Sequence, residues 1–156
     1  MAGPVKPVPD GYHSVTPYLI IRGAATALEF YKQAFGARER GRMTAPDGRV
    51  AHAEIQIGDS VIMLADEFPE MNARSPQSLG GSPVLIHLYV EHVDEVVAQA
   101  VAAGAQVERA VQNQFWGDRA GGVIDPFGHR WYIATHIEDV PPEELEKRAA
   151  AAHGKG

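Results

Sequence analysis

The feature that most constrains the fold is an order of predicted elements that occurs twice in the 156-residue chain. Each copy contains a strand, an amphipathic helix and three further strands. In the first copy Gly36 follows the apolar helix pattern as a natural stop, and turn-forming residues separate the strands. The predicted bounds of these five elements are 16–22, 23–35, 38–43, 50–57 and 60–65.

The second copy repeats this order after a polar connection (66–83) that is rich in Pro, Gly and Ser. Its helix ends before Gly104, and its apolar face consists of Val93, Val96, Val97, Ala100 and Val101. Its strands are predicted at 84–90, 107–111, 120–124 and 129–135. A sequence repeat of this length indicates a duplicated supersecondary unit. The alternative is an ordinary α+β domain whose two halves look alike by chance.

We therefore predict an α+β fold of two βαβββ modules around a shared small-molecule cavity. Proline and acidic residues at 141–144 favour a last helix running towards His153, as an appendage or a dimer contact. The predicted divisions are a flexible Pro-rich lead-in (1–14), module one (15–66), a linker (67–83), module two (84–139), and a C-terminal helix and tail (140–156).

Composition excludes several classes of function. The chain has no cysteine, which rules out disulfides and Cys-ligated metals. A formal net charge of -6 argues against a nucleic-acid partner. No apolar run reaches membrane-spanning length, and the first twelve residues lack the apolar core of a secretory signal. We expect a soluble cytoplasmic protein.

Two motifs, LEFYKQAFG (28–36) and DPFGH (125–129), resemble the vicinal oxygen chelate superfamily, which includes glyoxalase I, extradiol dioxygenases and bleomycin-resistance proteins. The chain is similar to its PhnB-like, glyoxalase-like branch over about residues 15–139. The segments that carry this likeness are VTPYLIIRG, RVAHAEIQIGDSVIML, HLYVEHVDE, QFWGDRAGG and DPFGHRW.

The resemblance implies that the strands curl into a curved mixed-sheet half-barrel with the site inside. In glyoxalase members, His and Glu side chains from four strands hold a divalent metal there. The matching positions in this chain are Thr16, Met63, Leu85 and Tyr132. None of these side chains is a good ligand for such a metal, so no metal cofactor is expected at these positions.

Strand alternation predicts which side chains face the cavity, because successive residues of a strand point to opposite faces. In 51–57 the alanines and isoleucines form one face, which leaves three polar residues on the other. In 84–90 the apolar residues form one face, which leaves His87 and Tyr89 on the other face together with Leu85. The resulting cavity candidates are Thr16, Tyr18, His52, Glu54, Gln56, His87, Tyr89 and Tyr132.

Three interpretations of this polar face are open. The preferred one is a metal-free binding face, on which an imidazole forms hydrogen bonds or acts as acid or base. In the second, His52, Glu54 and His87 form a two-His-one-carboxylate metal site. In the third, His52 and Glu54 lie on a solvated strand face and His87 is a hydrogen-bonded interior histidine.

A second cluster, FWGDR (115–119), combines an aromatic surface with a guanidinium. Trp116 and Arg119 could cap the cavity and hold an anionic or planar ligand. Equally, the cluster could be a core tryptophan beside a structural Asp–Arg pair. Residues 125–128 are predicted as a plain turn, and Trp131 is predicted to pack under a helix. Solvated surface positions are the default for His13, His92, His136 and His153.

Two functions follow from these candidates. The first is a binding protein similar to bleomycin-resistance members, favoured by the ring side chains Tyr18, Tyr89, Trp116 and Tyr132. The second is a metal-dependent lyase, isomerase or dioxygenase that uses His52, Glu54 and His87 as ligands or acid–base groups. In either case the partner is a small molecule, and a homodimer is expected, with module exchange as one route to it.

Overall fold

A computed structural model describes residues 3–154 of the chain, which form two compact units that meet in sequence at Gly81 and Ser82. The domain bounds at 15 and 139 stay predictions, and residues 1, 2, 155 and 156 of the predicted lead-in and tail lie outside the described residues. The first unit contains β1 (Tyr18–Ile21), α1 (Ala24–Phe35), β2 (Arg38–Thr44), β3 (Val50–Ile57), β4 (Ser60–Asp66) and α2 (Pro76–Leu79). The second contains β5 (Leu85–Tyr89), α3 (Val93–Ala103), β6 (Gln106–Asn113), β7 (Asp118–Ile124), β8 (Arg130–His136) and α4 (Pro142–His153).

Each unit has one open four-stranded mixed sheet, and the two sheets share the same strand order. In the first unit the order is β1-β4-β3-β2, and in the second it is β5-β8-β7-β6. The first strand of each unit pairs in parallel with the last, and the other neighbours pair antiparallel. The predicted α+β fold with two βαβββ modules is therefore confirmed. The cavity shared by both modules stays a prediction.

The helix of each unit covers one face of its own sheet, because a parallel pair needs a crossover connection. The buried side chains alternate along the strands in the predicted way: Ala53, Ile55 and Ile57 of β3 are buried, and the residues between them are partly exposed. In the second unit Trp131 is 1% exposed, and its indole nitrogen donates to Asp125 at 3.0 Å. This burial agrees with the prediction that Trp131 packs under a helix.

The last strand of each unit also satisfies the first backbone amides of the helix, which have no partner within the helix itself. Asp66 Oδ1 accepts from the Gly23 and Ala24 amides at 3.1 and 2.8 Å, and Oδ2 accepts from Val50 at 2.7 Å. Thr135 Oγ1 accepts from the Val93 amide at 2.9 Å. The duplication therefore extends from the strand order to the way each helix is anchored.

The connection between the modules is more ordered than its composition predicts. It contains a 3-10 turn (Pro69–Met71) and α2. Hydrogen bonds from Ser75 and Ser78 converge on Glu67 and hold the pKa of its carboxyl at about 2. Such short elements depend on individual side-chain caps, so they leave no apolar periodicity in the sequence.

The other boundaries differ little from prediction. β1 begins two residues later than predicted, at Tyr18, although the Pro17 carbonyl still accepts from the Met63 amide at 2.9 Å. The predicted C-terminal helix is confirmed as α4. Within residues 3–154, each helix is too short or too polar to cross a membrane.

Replacing Asp66 with Ala should lower the free energy of unfolding by about 3 kcal/mol, because it removes three bonds to a charged group and leaves a buried amide unpaired. Ala24, whose amide loses its acceptor, is fully buried. Urea unfolding followed by circular dichroism measures the change. The control is Asp59→Ala, at the exposed tip of the β3–β4 turn. Equal stability of the two variants would contradict the anchoring role.

Candidate functional site

The open face of the second sheet lies opposite α3 and carries several ring and polar side chains. Strand pairing places His87 beside Tyr132, and Tyr132 beside Gly122. Gly122 in turn pairs with Arg109 of β6. A Cβ at Gly122 would lie 3.5 Å from the Cβ of Arg109, so the stem of the Arg109 side chain packs against this glycine. The predicted facing of His87, Tyr89 and Tyr132 onto one face agrees with this register.

A cavity of about 350 Å³ lies on this face. Its walls combine a guanidinium, two carboxamides, two aromatic rings and two small side chains. The lining residues are Arg109, Ala110, Gln112, Gln114, Trp116, Ala120 and Tyr132. Trp116 and Tyr132 were expected in a cavity, whereas the three polar residues of β6 and the following loop were not.

The polar residues of β6 escaped sequence analysis because the strand is irregular. Its register with β7 shifts between Val107 and Arg109 and again between Arg109 and Gln112. Each shift breaks the two-residue alternation on which a prediction of facing depends. The only local signal was the high proportion of polar residues in the strand.

Asp118 organises one end of the open face. Its side chain is 3% exposed and accepts from Tyr89 Oη at 2.9 Å, Trp116 Nε1 at 3.2 Å and His136 Nδ1 at 2.8 Å. Burial raises the pKa of Asp118, but the bonds from His136, Tyr89 and Trp116 outweigh it and leave the pKa below its ordinary value. The carboxylate therefore holds the indole and the phenol in fixed orientations.

His136 links Asp118 to the segment after β8. Its Nε2 lies 2.6 Å from Asp139 Oδ1, so each ring nitrogen faces a carboxylate. Asp139 and then Asp118 raise the pKa of His136 above its usual value of 6.5. Sequence analysis predicted a solvated surface position for His136. The side chain is half-exposed, but each of its ring nitrogens is bonded to a carboxylate.

Arg119 does not take the position expected for an anion-binding residue. Its guanidinium is held by both carboxylate oxygens of Asp94 of α3, at 2.7 and 2.9 Å, and by Asn113 at 3.0 Å. Adjacent strand residues face opposite ways, so Arg119 points to the helix side while Asp118 points to the open side. The Asp–Arg pair is thus structural, and its acidic partner is Asp94 rather than the neighbouring Asp118.

His87 is exposed rather than interior, contrary to the third interpretation. Its ring lies 4.5 Å from that of Tyr89 and 5.4 Å from that of Tyr132, measured between centroids. These contacts form a row of rings along the open face. The row extends the aromatic surface next to the cavity.

The open face of the first sheet carries a chain of hydrogen bonds. Tyr18 Oη lies 3.0 Å from His52 Nδ1, and His52 Nε2 lies 3.0 Å from Glu54 Oε2. Tyr12, from the lead-in, donates to Glu54 Oε1. His52 and Glu54 are 29% and 19% exposed, so they are not a fully solvated strand face.

The remaining candidates of the first unit lie outside this chain of bonds. Gln56 accepts from Arg38 at 2.9 Å and donates to the Gly58 carbonyl at 3.1 Å. Thr16 and Met63 line a cavity of about 460 Å³ together with lead-in residues. Gln56 is thus engaged at the hairpin end, and Tyr12 is a participant that sequence analysis missed, because nothing in a Pro-rich lead-in indicates where it will lie.

The residues at the superfamily metal positions do not fit a divalent metal. Thr16, Met63, Leu85 and Tyr132 offer a hydroxyl, a thioether, an alkyl group and a phenol whose pKa burial raises. Within either unit of residues 3–154, no three His, Asp or Glu side chains are grouped to hold a metal ion. The alternative set of His52, Glu54 and His87 draws on both units and stays a prediction.

The raised pKa of His136 predicts a pH-dependent contribution to stability. Because its folded-state pKa lies above the unfolded value of 6.5, this contribution is complete below that value and is lost as pH rises through the folded pKa. His136→Gln should therefore destabilise the protein more at pH 6 than at pH 9, as measured by urea unfolding across this range. His13→Gln, at an exposed position, is the control. A destabilisation by His136→Gln that does not vary with pH would contradict the role of the ion pairs.

Comparison with known proteins agrees with this architecture. The model of the Glyoxalase/Bleomycin resistance protein/Dioxygenase superfamily matches residues 12–133. An uncharacterized protein of Mycobacterium tuberculosis is 42% identical over 146 residues, which cover 92% of this chain and 85% of that protein. The X-ray structure of a gene product of Arabidopsis thaliana is 29% identical, with a TM-score of 0.63 and coverage of 79% of this chain and 98% of that one.

The PhnB protein of Bacillus cereus is 17% identical, with a TM-score of 0.62 over 79% of this chain and 99% of that chain, and so shares the fold. The family match covers most of the chain, and it includes both the DPFG turn and the Tyr18 strand that carried the resemblance in the sequence. This chain belongs to the glyoxalase/bleomycin resistance protein/dioxygenase superfamily.

Proposed function

We propose that the protein binds a small planar anion of the aromatic carboxylate class, without chemical conversion, on the open face of its second unit. The observation that carries this proposal is one cavity lined by the guanidinium of Arg109, the carboxamides of Gln112 and Gln114, and the rings of Trp116 and Tyr132. A volume of about 350 Å³ lies at the small end of known ligand pockets, which suits a compound of one or two rings.

Arg109 supplies the charge for this ligand. It is exposed and forms no ion pair with any of residues 3–154, in contrast to Arg119, which is engaged by Asp94. A guanidinium presents parallel N–H donors that match a carboxylate, and such bidentate pairs are stronger than bonds between neutral groups. An anionic group is therefore the natural partner of Arg109.

The rings supply a preorganised apolar surface. The bond from Trp116 to Asp118 holds the indole in place before a ligand arrives. Burial raises the pKa of Tyr132, so its hydroxyl stays protonated at neutral pH and can donate to a ligand. Fixed side chains lose little conformational entropy on binding, which favours affinity from a small contact area.

The binding interpretation also agrees with the chemistry at the superfamily metal positions, where the side chains are poor ligands. Small-molecule binding is the common property of this superfamily. All residues that line the proposed site belong to the second unit. The homodimer and the cytoplasmic location stay predictions.

Replacing Arg109 with Gln should weaken binding of 2-naphthoate about tenfold or more, because a charge-assisted bond becomes a neutral one. Quenching of the Trp116 fluorescence measures the affinity, and Trp131 serves as a buried reference. The matched control is Arg119→Gln, which removes an arginine of the same unit from the helix side and should leave the affinity unchanged. Failure of 2-naphthoate to bind, or equal loss in both variants, would refute the proposal.

Chelation provides a separate test of the metal-free interpretation. Incubation with EDTA followed by gel filtration should leave the 2-naphthoate affinity unchanged within experimental error, since no residue that lines the cavity is a His or Glu metal ligand. Isothermal titration calorimetry before and after treatment measures this. Loss of binding that returns with Zn²⁺, Mn²⁺ or Ni²⁺ would instead favour the metal-dependent alternative.

A further inference from the structure

In the first unit, the carboxylate of Glu54 has two hydrogen-bond partners, and one of them comes from outside the sheet. Glu54 is 19% exposed, and its Oε2 is paired with His52. Its Oε1 accepts from the phenol of Tyr12, a lead-in residue 42 positions earlier in the chain. The bond from Tyr12 and then that from His52 lower the pKa of Glu54, so the acceptor is a carboxylate at neutral pH.

The Tyr12 side chain is held as a bound aromatic molecule would be. The guanidinium carbon of Arg40 lies 5.1 Å from the centre of the Tyr12 ring, within the range of a cation–π contact. The ring also lines the cavity of about 460 Å³ that contains Thr16 and Met63. The phenol thus meets a carboxylate at its hydroxyl, a cation at its face, and an adjoining cavity.

The backbone reaches this position through a short turn that precedes Tyr12. The Tyr12 amide donates to the Pro9 carbonyl at 3.2 Å, and Gly11 adopts a φ of +85°, which glycine tolerates best. Within the described lead-in there is no helix or strand. Few interactions therefore oppose the displacement of this segment compared with a strand of the sheet.

We propose that Glu54, His52, Tyr18 and Arg40 form a binding site for a hydroxyaryl compound, and that Tyr12 is its resident occupant, which such a compound displaces. Tyr18 donates to His52, His52 donates to Glu54, and the ligand hydroxyl donates to the free Glu54 oxygen in place of Tyr12. The site lies in the first unit and does not rest on the function proposed for the second.

Removing the occupant should strengthen binding of an external phenol. A site that is mostly filled by its own side chain has an apparent affinity reduced by the fraction of protein in which it is empty. Tyr12→Ala should therefore bind 4-methylphenol about tenfold or more tightly than the unmodified protein. Calorimetry gives the affinity, and the NMR signals of the His52 ring report whether the ligand lies at this site.

Three controls separate this site from nonspecific binding. In the Tyr12→Ala background, Glu54→Gln should weaken 4-methylphenol binding about tenfold, because the charged acceptor is lost. The probe 4-methylanisole, which has no hydroxyl donor, should bind much more weakly than 4-methylphenol. Arg109→Gln should have no effect on either probe, which distinguishes this site from the one in the second unit.

Two milder variants keep the test decisive if Tyr12→Ala unfolds. Tyr12→Phe retains the ring but not the hydroxyl, and Gly11→Ala strains the turn while keeping Tyr12. Both should bind 4-methylphenol more tightly than the unmodified protein. Equal affinity in all variants, or an affinity that does not depend on Glu54, would overturn the proposal.

Discussion

The parallel pairing between the first and last strands of each unit is the constraint on which the rest of the structure depends. A parallel pair cannot be closed by a hairpin, so the chain must cross one face of the sheet through a helix. β1 pairs with β4 in this way and β5 with β8. The same last strand then supplies Asp66 or Thr135 to the first amides of the helix. One face is thereby covered, and the opposite face is left to carry polar and aromatic side chains.

Each open face is organised by one carboxylate, and the two carboxylates have different surroundings. Asp118 is almost completely buried and receives three side-chain donors from its own unit, so it acts as a fixed support for Trp116 and its neighbours. Glu54 is more exposed, and one of its donors comes from a lead-in turn. A saturated buried carboxylate stabilises a surface, whereas one that depends on a loosely attached donor can exchange that donor for a ligand. Duplication therefore produced two related faces with different chemistry.

The candidate site was predictable where strands are regular and unpredictable where they are not. Alternation placed Tyr132 on the open face and Trp131 beneath the helix because β8 has an unbroken register. The irregular β6 hid Arg109, and the sequence instead favoured Arg119, whose partner in α3 is 25 positions away. The contact between Tyr12 and Glu54 was also unpredictable. Contacts between distant segments depend on chain geometry rather than on the local sequence pattern.

The sequence by itself determined the repeated order of elements, the family, the buried faces of the strands and the poor metal-binding chemistry at Thr16, Met63, Leu85 and Tyr132. These properties follow from residue type and from short-range periodicity, which a single chain displays directly. Only the tertiary structure decided that Arg109 forms no ion pair within residues 3–154, that the carboxylate of Asp118 is buried, and that Tyr12 reaches Glu54. The physical reason is that charge pairing and burial depend on residues far apart in sequence that strand register brings together.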